Sequence, residues 1–325
     1  MKTPVADMPT TRSLGRTERL IILRTFEGFT DMEPSDVSVL AEHTRKRFFP
    51  AGAVIAREGA PATAIHFIVH GAAELHRHGH PLTRLGPRGT VGGVAALARD
   101  PDTPRIVAVD DTVTLEMRVE DMEDVFEDNF HILLSVARAI ARTTLQLRRE
   151  LGPGAGFDDD EGPAVTCPAR AFDLVERIFF LRQSLLFARM RIEPLAQLAR
   201  HARELRVDAG TVLRREGEEP RSIILPICGR VRAHNAAGQQ FHLGCGGAIG
   251  GLSVIADRPN WVTFEVVEPM VALSFDREIF LDVLEDHAEM ARDFLAVLAA
   301  GLLAVLERRA GHHDHVGGVP VPRAG

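Results

Sequence analysis

An internal repeat at one fixed offset constrains this chain more than any other feature. Gly92-Gly93 and Gly250-Gly251 stand 158 residues apart (250 minus 92). The same offset pairs Leu23-Arg24 with Leu181-Arg182, Phe29 with Phe187, Leu40-Ala41 with Leu198-Ala199 and His43 with His201. It pairs Ala51-Gly52 with Ala209-Gly210, and Arg57-Glu58-Gly59 with Arg215-Glu216-Gly217. Gly71, Gly86 and Gly89 meet Gly229, Gly244 and Gly247, and Asp124-Val125 meets Asp282-Val283. No gap is needed from Leu23 onward. Self-similarity of that extent means two homologous domains, which suits a chain of 325 residues.

Each copy repeats one plan. A short helical segment comes first (EPSDVSVLAEHTR; EPLAQLARHAREL). Short β runs punctuated by glycine follow, such as FFPAGAVIAREG, AIHFIVHGAAELHRHG and LTRLGPRGTVGG. Many short strands with glycine turns predict a sandwich or barrel. Each copy then closes in a long amphipathic stretch, with Val125, Phe126, Ile132, Leu133, Val136 and Ile140 at helical spacing in the first. The expected organisation is an N-terminal arm without fixed structure at 1–19 and a first domain at 20–151. A Gly/Pro/Asp-rich linker at 152–177 leads to a second domain at 178–310, and a disordered tail fills 311–325.

Composition narrows the function classes. Apolar residues at 45% and charged residues at 26% are ordinary for a water-soluble globular protein. A net charge of −7 argues against a nucleic-acid backbone as partner, because phosphate neutralisation needs a Lys/Arg surplus. Cys167, Cys228 and Cys245 have no metal spacing, and an odd, sparse set predicts no disulfide framework and a reducing, cytoplasmic setting. The N-terminal residues lack the apolar core of a signal peptide. The longest apolar run, Phe294 to Leu306, is short of the roughly 20 residues a membrane span requires, so it reads as a packed helix.

The run F-x-A-G-x-V-I-x-x-E-G-x-P-A-x-x-I-x-F-I-V-x-G in copy one, and V-D-A-G-T-V-L-R-R-E-G with G-R-V-R in copy two, resemble the opening of cyclic nucleotide-binding domains. The resemblance is to the tandem β-rolls of the cAMP receptor protein and the protein kinase A regulatory subunit, and it covers about residues 20–150 and 178–308. It implies a mainly β fold with flanking helices: two tandem, jelly-roll-like, eight-stranded rolls, each followed by a long helix. In that family the ligand sits in a cassette reading Gly-Glu-x-Ala-Leu, a short loop, then Arg-(Ser/Thr)-Ala. The Glu takes the ribose hydroxyl, the Arg pairs with the cyclic phosphate, and N–H groups at the head of a short helix complete the anion site.

Carried over residue by residue, the cassette keeps its backbone and loses its charges. Gly92 and Gly250 hold the Gly position. Gly93 and Gly251 stand where the Glu belongs. Val94 and Ala95, with Leu252 and Ser253, continue the short helices. In the gapless register the Arg position holds Asp102 in copy one and Asn260 in copy two, with Thr103 and Trp261 at the Ser/Thr position. Arg105 falls three residues further on, opposite Thr263. Taking Pro104-Arg105 as the family's Pro-Arg instead demands a three-residue insertion and shortens the next strand. The gapless register keeps both flanks aligned. An Asp facing a phosphate is a like-charge contact, and losing the ribose acceptor removes roughly 1.5–3 kcal/mol. Trp261 is large enough to fill the space of a nucleotide.

Other classes find less support. His76, His78 and His80 sit in a Gly79/Pro81 turn, and copy two keeps only His234, which argues against a metal site. His312, His313 and His315 fall in the expected tail. No helix-turn-helix fits after Glu307, so direct DNA reading is not expected. No nucleophile elbow, P-loop or dinucleotide fingerprint is present. The reading is a non-enzymatic regulatory or scaffold protein without a cofactor, using its long helices toward a protein partner or a second copy. The alternative is a sensor that binds cyclic AMP or cyclic GMP in domain 1, with Arg105 reaching the phosphate.

Overall fold

Alternating apolar residues and glycine turns fold each copy into a roll of antiparallel strands. The computed structural model describes residues 14–30, 32–152, 167, 169–184 and 186–316. Copy one opens with α1 (Arg16–Leu23) and α2 (Pro34–Glu42). The helix starts inside the stretch expected as an unstructured arm. The Gly15 N–H donates to Glu18 Oε2 (2.8 Å) and Arg19 N donates to the Gly15 carbonyl (3.0 Å), so both ends of the first turn are satisfied. Residues 1–13 of that arm lie outside the described residues.

Eight strands follow: β1 (Thr44–Phe49), β2 (Val54–Ala56), β3 (Ala64–His70), β4 (Ala73–Arg77), β5 (His80–Leu85), β6 (Thr90–Val91), β7 (Arg105–Ala108) and β8 (Thr112–Arg118). They form two four-stranded sheets, ordered β1-β8-β3-β6 and β2-β7-β4-β5. The period-2 alternation of β3 decides what each sheet buries. Ile68 turns inward to a core with Ala73, Val91 and Ile106. Phe67 turns outward and meets Phe26 and Phe29 at 5.4 and 5.3 Å between ring centroids.

Copy two has α6 (Leu174–Gln183), α7 (Ile192–His201), β9 (Arg203–Val207), β10 (Val212–Arg214), β11 (Ser222–His234), β12 (Gln240–Leu243) and β13 (Thr263–Asp276). Five strands do the work of eight because β11 and β13 run unbroken through positions where copy one has two strands each, and a single bridge, Ile224 with Ile249, replaces β6. The register preserves the sequence offset: Ile65 pairs with Met117 and Ile223 with Phe275. Gly71 turns the corner between the two sheets of copy one, and Gly229 marks the same position inside the bulged β11. Both have positive φ (+79° and +84°), and an added Cβ would collide with the Asp111 and Pro269 carbonyl oxygens. Only glycine satisfies both demands.

The C-terminal stretch of each copy, expected as one amphipathic run, is broken into two helices. They are α4 (Val119–Asp128) and α5 (Phe130–Leu151), then α9 (Arg277–Asp286) and α10 (Ala288–Val316). The breaks fall at Asn129 and His287, again 158 apart, with nearly identical non-helical dihedrals. The Asn129 amide donates to the Val125 carbonyl at 3.0 Å and so ends α4. Helix α6 begins at Leu174, inside the expected linker, capped by Asp173, whose carboxylate accepts from Glu176 N at 2.9 Å. Helix α10 continues to Val316, past the expected start of the tail; the side chains of His312, His313 and His315 lie outside the described ones. No helix among the described residues is long and apolar enough to cross a membrane. The chain forms two compact units, Met1–Ser135 with Leu303–Gly325, and Val136–Leu302.

The cysteine expectation is overturned. Cys167 and Cys228 form a disulfide across a sequence separation of 61, with 5.5 Å between Cα atoms. Cys228 is buried at the β11 bulge, where the register shifts on either side of it, and the segment carrying Cys167 is held there. Sequence spacing carries no signal for such a pair. The thiol-based ground for a reducing compartment falls with it.

Two predictions follow from these constraints. Reducing the disulfide, or Cys228→Ser, lowers unfolding stability by roughly 4 kcal/mol in the chain-entropy treatment of a loop this long; denaturant melts with and without reductant measure it. Gly71→Ala destabilises by at least about 2 kcal/mol more than Gly59→Ala. Gly59 also has positive φ (+69°), but nothing lies within 4 Å of its added Cβ.

Candidate functional site

The cassette backbone is built the same way twice. Gly92 and Gly250 adopt φ of 79° and 75°, and each opens a six-residue helix: α3 (Gly93–Ala98) and α8 (Gly251–Ala256). A Cβ on Gly92 would stand 2.7 Å from the Ala64 carbonyl oxygen, so the loop lies directly against β3. Ala96 N donates to the Gly92 carbonyl at 3.0 Å, which leaves the N–H groups of Gly93, Val94 and Ala95 without an intrahelical acceptor. Both helices end in a left-handed residue, Arg99 and Asp257.

The charged positions differ from the family's. In copy one Asp102 turns toward β4. Its backbone N–H donates to Asp100 Oδ1 (3.0 Å), its carbonyl accepts from Arg77 Nη2 (2.5 Å), and its carboxylate lies 3.2 Å from His78 Nε2 and 3.9 Å from Arg77 Nε. Arg77 is largely buried and also pairs with Asp100 and with Glu307 of α10. Thr103 is buried and its hydroxyl donates to the Asp100 carbonyl at 3.3 Å. Arg105 is the first residue of β7, exposed and opposite His76 in the strand register. Thr263 stands opposite His234 in the same way, so Arg105 is a strand residue.

In copy two Asn260 is buried, and its amide donates to the Glu218 carbonyl at 3.0 Å. Its buried Oδ1 has no hydrogen-bond partner among the described residues and would stand 3.7 Å from a Cβ added to Gly250. An acceptor oxygen offers nothing to a phosphate. Trp261 is buried and stacks on Phe241, with centroids 5.7 Å apart and planes 19° from parallel. Helix α5 adds two arginines: Arg142 Nε donates to the Ala256 carbonyl at the end of α8 (2.9 Å), and Arg148 lines the space beside Trp261, Gly250 and Gly251. The cavity there has about 40 Å³, room for roughly three waters. Ser253 is buried behind it and Leu252 half-buried.

Copy one is open where copy two is filled. A cavity of about 220 Å³ lies inside the first roll, lined by Ile55, Pro61, Ala64, His66, Gly92, Thr103 and Ile106 among others. Thr103 occupies the place of Trp261, and His66 the place of Ile224. His66 is buried, with Nδ1 3.2 Å from Thr114 Oγ1 and its ring edge-on to Phe49 at 5.4 Å. Burial holds its imidazole below the ordinary range; Glu116 opposes that shift and Arg47 adds to it.

Sequence reasoning placed the two loops but not the residues that answer them. His66 shares the inward face of β3 with Ile68, and two residues' alternation from Ile68 was the signal that finds it. Arg77 carried no signal, because its acidic partners are 23, 25 and 230 residues away. Of the turn histidines, His76 bonds Glu74 (3.0 Å), His78 faces Asp102, and His80 opens β5.

Against known proteins, the cyclic nucleotide-binding domain family matches at residues 46–129 and 204–287. No curated protein matches the chain. Among solved structures it is similar to the regulatory subunit of a cAMP-independent protein kinase A from Trypanosoma brucei, at 14% identity over 86% of this chain and 93% of that one, with a TM-score of 0.34. It is similar to the regulatory domain of Toxoplasma gondii PKA crystallised with cAMP, at 15% identity over 86% and 99%, TM-score 0.33. The N-terminal domain of a Streptomyces coelicolor transcriptional regulator matches at 19% identity over 41% and 99%, TM-score 0.36. With two matched segments that together exceed half its length, the chain belongs to the cyclic nucleotide-binding domain family.

Proposed function

We propose that this protein is a non-enzymatic regulatory or scaffold protein whose cassettes no longer hold a cyclic nucleotide, and which works through roll surfaces and the α5 and α10 helices on a protein partner or a second copy. The observation that carries this reading is the fate of Asp102. A carboxylate stands at the phosphate position, and the nearby cation, Arg77, is already committed to Asp100, Asp102 and Glu307. The position that carries the family's guanidinium therefore offers none to a cyclic phosphate, because its carboxylate is turned to Arg77 and His78. Gly93 and Gly251 supply no ribose acceptor. Each missing charge-assisted bond weakens binding by roughly 1.5–3 kcal/mol, a factor of about 10 to 150. In copy two, Trp261 and Phe241 occupy the space itself.

The sensor reading depends on Arg105, which is exposed at the start of β7 and does not line the copy-one cavity. The N–H groups of Gly93, Val94 and Ala95 remain in its favour, and the strand pairing of Arg105 with His76 weakens it.

Calorimetric titration of the full chain with cyclic AMP and cyclic GMP decides between the two. The expected result is no micromolar site for either nucleotide. A micromolar site overturns the reading, and if Arg105→Ala then removes that site, the sensor alternative takes its place.

A further inference from the structure

The two rolls solve one packing problem in opposite ways. Copy two stacks Trp261 on Phe241 where copy one has Thr103 and Thr83. Copy one, with the same backbone and the same strand register, keeps about 220 Å³. Protein interiors are close-packed, and voids are few. In copy two, Trp261, Phe264 and Arg214 stand where copy one has Thr103, Ile106 and Ala56.

The lining says what fits. Ile55, Pro61, Ala64 and Ile106 make the wall apolar. Inside it stands one buried side chain with hydrogen-bonding capacity to spare: His66 uses Nδ1 toward Thr114, and no described residue bonds its Nε2. The Thr103 hydroxyl gives its proton to the Asp100 carbonyl, which leaves it none to donate to a ligand. No buried charge lines the interior. Asp102 is turned to Arg77 and His78, Gly93 has no side chain, and burial keeps the imidazole neutral. Arg57 reaches the rim but is exposed, where an ion pair is screened by water and adds little. A charged ligand loses its hydration here without a partner.

We propose that the copy-one cavity is a binding site for a small uncharged molecule with an apolar body and one hydroxyl group, held by a hydrogen bond to His66 Nε2. A hydroxyl donates and accepts, so it serves either tautomer of a ring whose Nδ1 is shared with Thr114. The proposal rests on the reading that the cassette no longer takes a cyclic phosphate, and it adds the class of ligand for the space left behind. Copy two has no such site, since Ile224 replaces His66 and Trp261 fills the volume.

Phenol is the probe, used with the full chain, and benzoate is the charged control. Phenol is expected to shift the His66 ring resonances saturably and, at ten times its dissociation constant, to raise Tm by roughly 3 °C. Benzoate is expected to do neither. His66→Phe is expected to weaken phenol about tenfold. Thr103→Trp is expected to abolish the response while keeping the fold; Ile106→Phe narrows the same cavity if the first variant does not fold. Saturable phenol binding that survives both His66→Phe and the cavity-filling variant overturns the site. So does the absence of saturable binding to the wild-type chain. A micromolar cyclic AMP site overturns the functional reading above; a phenol failure without cyclic AMP binding overturns this inference alone.

Discussion

Both rolls depend on a glycine that no other residue replaces. At Gly71 the chain passes from one sheet to the other and at Gly229 β11 bends within its sheet, both with positive φ and with a carbonyl oxygen where a Cβ would stand. That contact sets where β3 hands over to β4 and where β11 bends without breaking. It fixes the distance between the sheets, and hence the interior volume available to a ligand or a side chain. The corner also fixes register. A slip of one residue would move Ile68 and His66 to the helix side and Ile65 and Phe67 into the roll.

Given that frame, the interior is decided by few positions. The Gly92 and Gly250 loops keep the tight approach to β3 and β11 that the family uses to present N–H groups. The backbone is retained for packing as much as for any ligand, because a Cβ at Gly92 meets the Ala64 carbonyl whether or not the pocket is used. Chemistry therefore diverges without cost to the fold. Copy two invests an aromatic pair in the vacancy. Copy one leaves the vacancy and places a neutral imidazole in it.

The sequence made the repeat and the cassette legible because both are local: glycine spacing, turn chemistry and alternation survive in one dimension. The helix breaks at Asn129 and His287 fall at the same offset of 158. The break itself was not legible. Helical spacing continues across it, and what ends α4 is one side-chain amide finding the Val125 carbonyl. The disulfide was hidden for a different reason. Cys167 and Cys228 are brought together by the path of the segment ahead of α6, which no spacing encodes. The same holds for Arg142 and Arg148. They read as the polar face of a helix belonging to copy one, yet they pack in the unit that contains the second cassette.

Asp102 shows how a reversed charge is tolerated at a position built for an arginine. A carboxylate half-withdrawn from water needs a counter-charge nearby, and Arg77 provides one from the adjacent strand. Arg77 is itself largely buried, so a single carboxylate would leave part of its fork unanswered. Asp100 and the Asp102 backbone carbonyl accept from its Nη2 and Glu307 pairs with its Nη1, while its buried Nε makes no hydrogen bond. The charges thus close on one another beside the cassette rather than reaching into it. This is why the interior beside Gly92 is neutral although charged residues flank it in sequence. It also ties the cassette loop to the end of α10, so the position that once answered a ligand now answers a helix of the same chain.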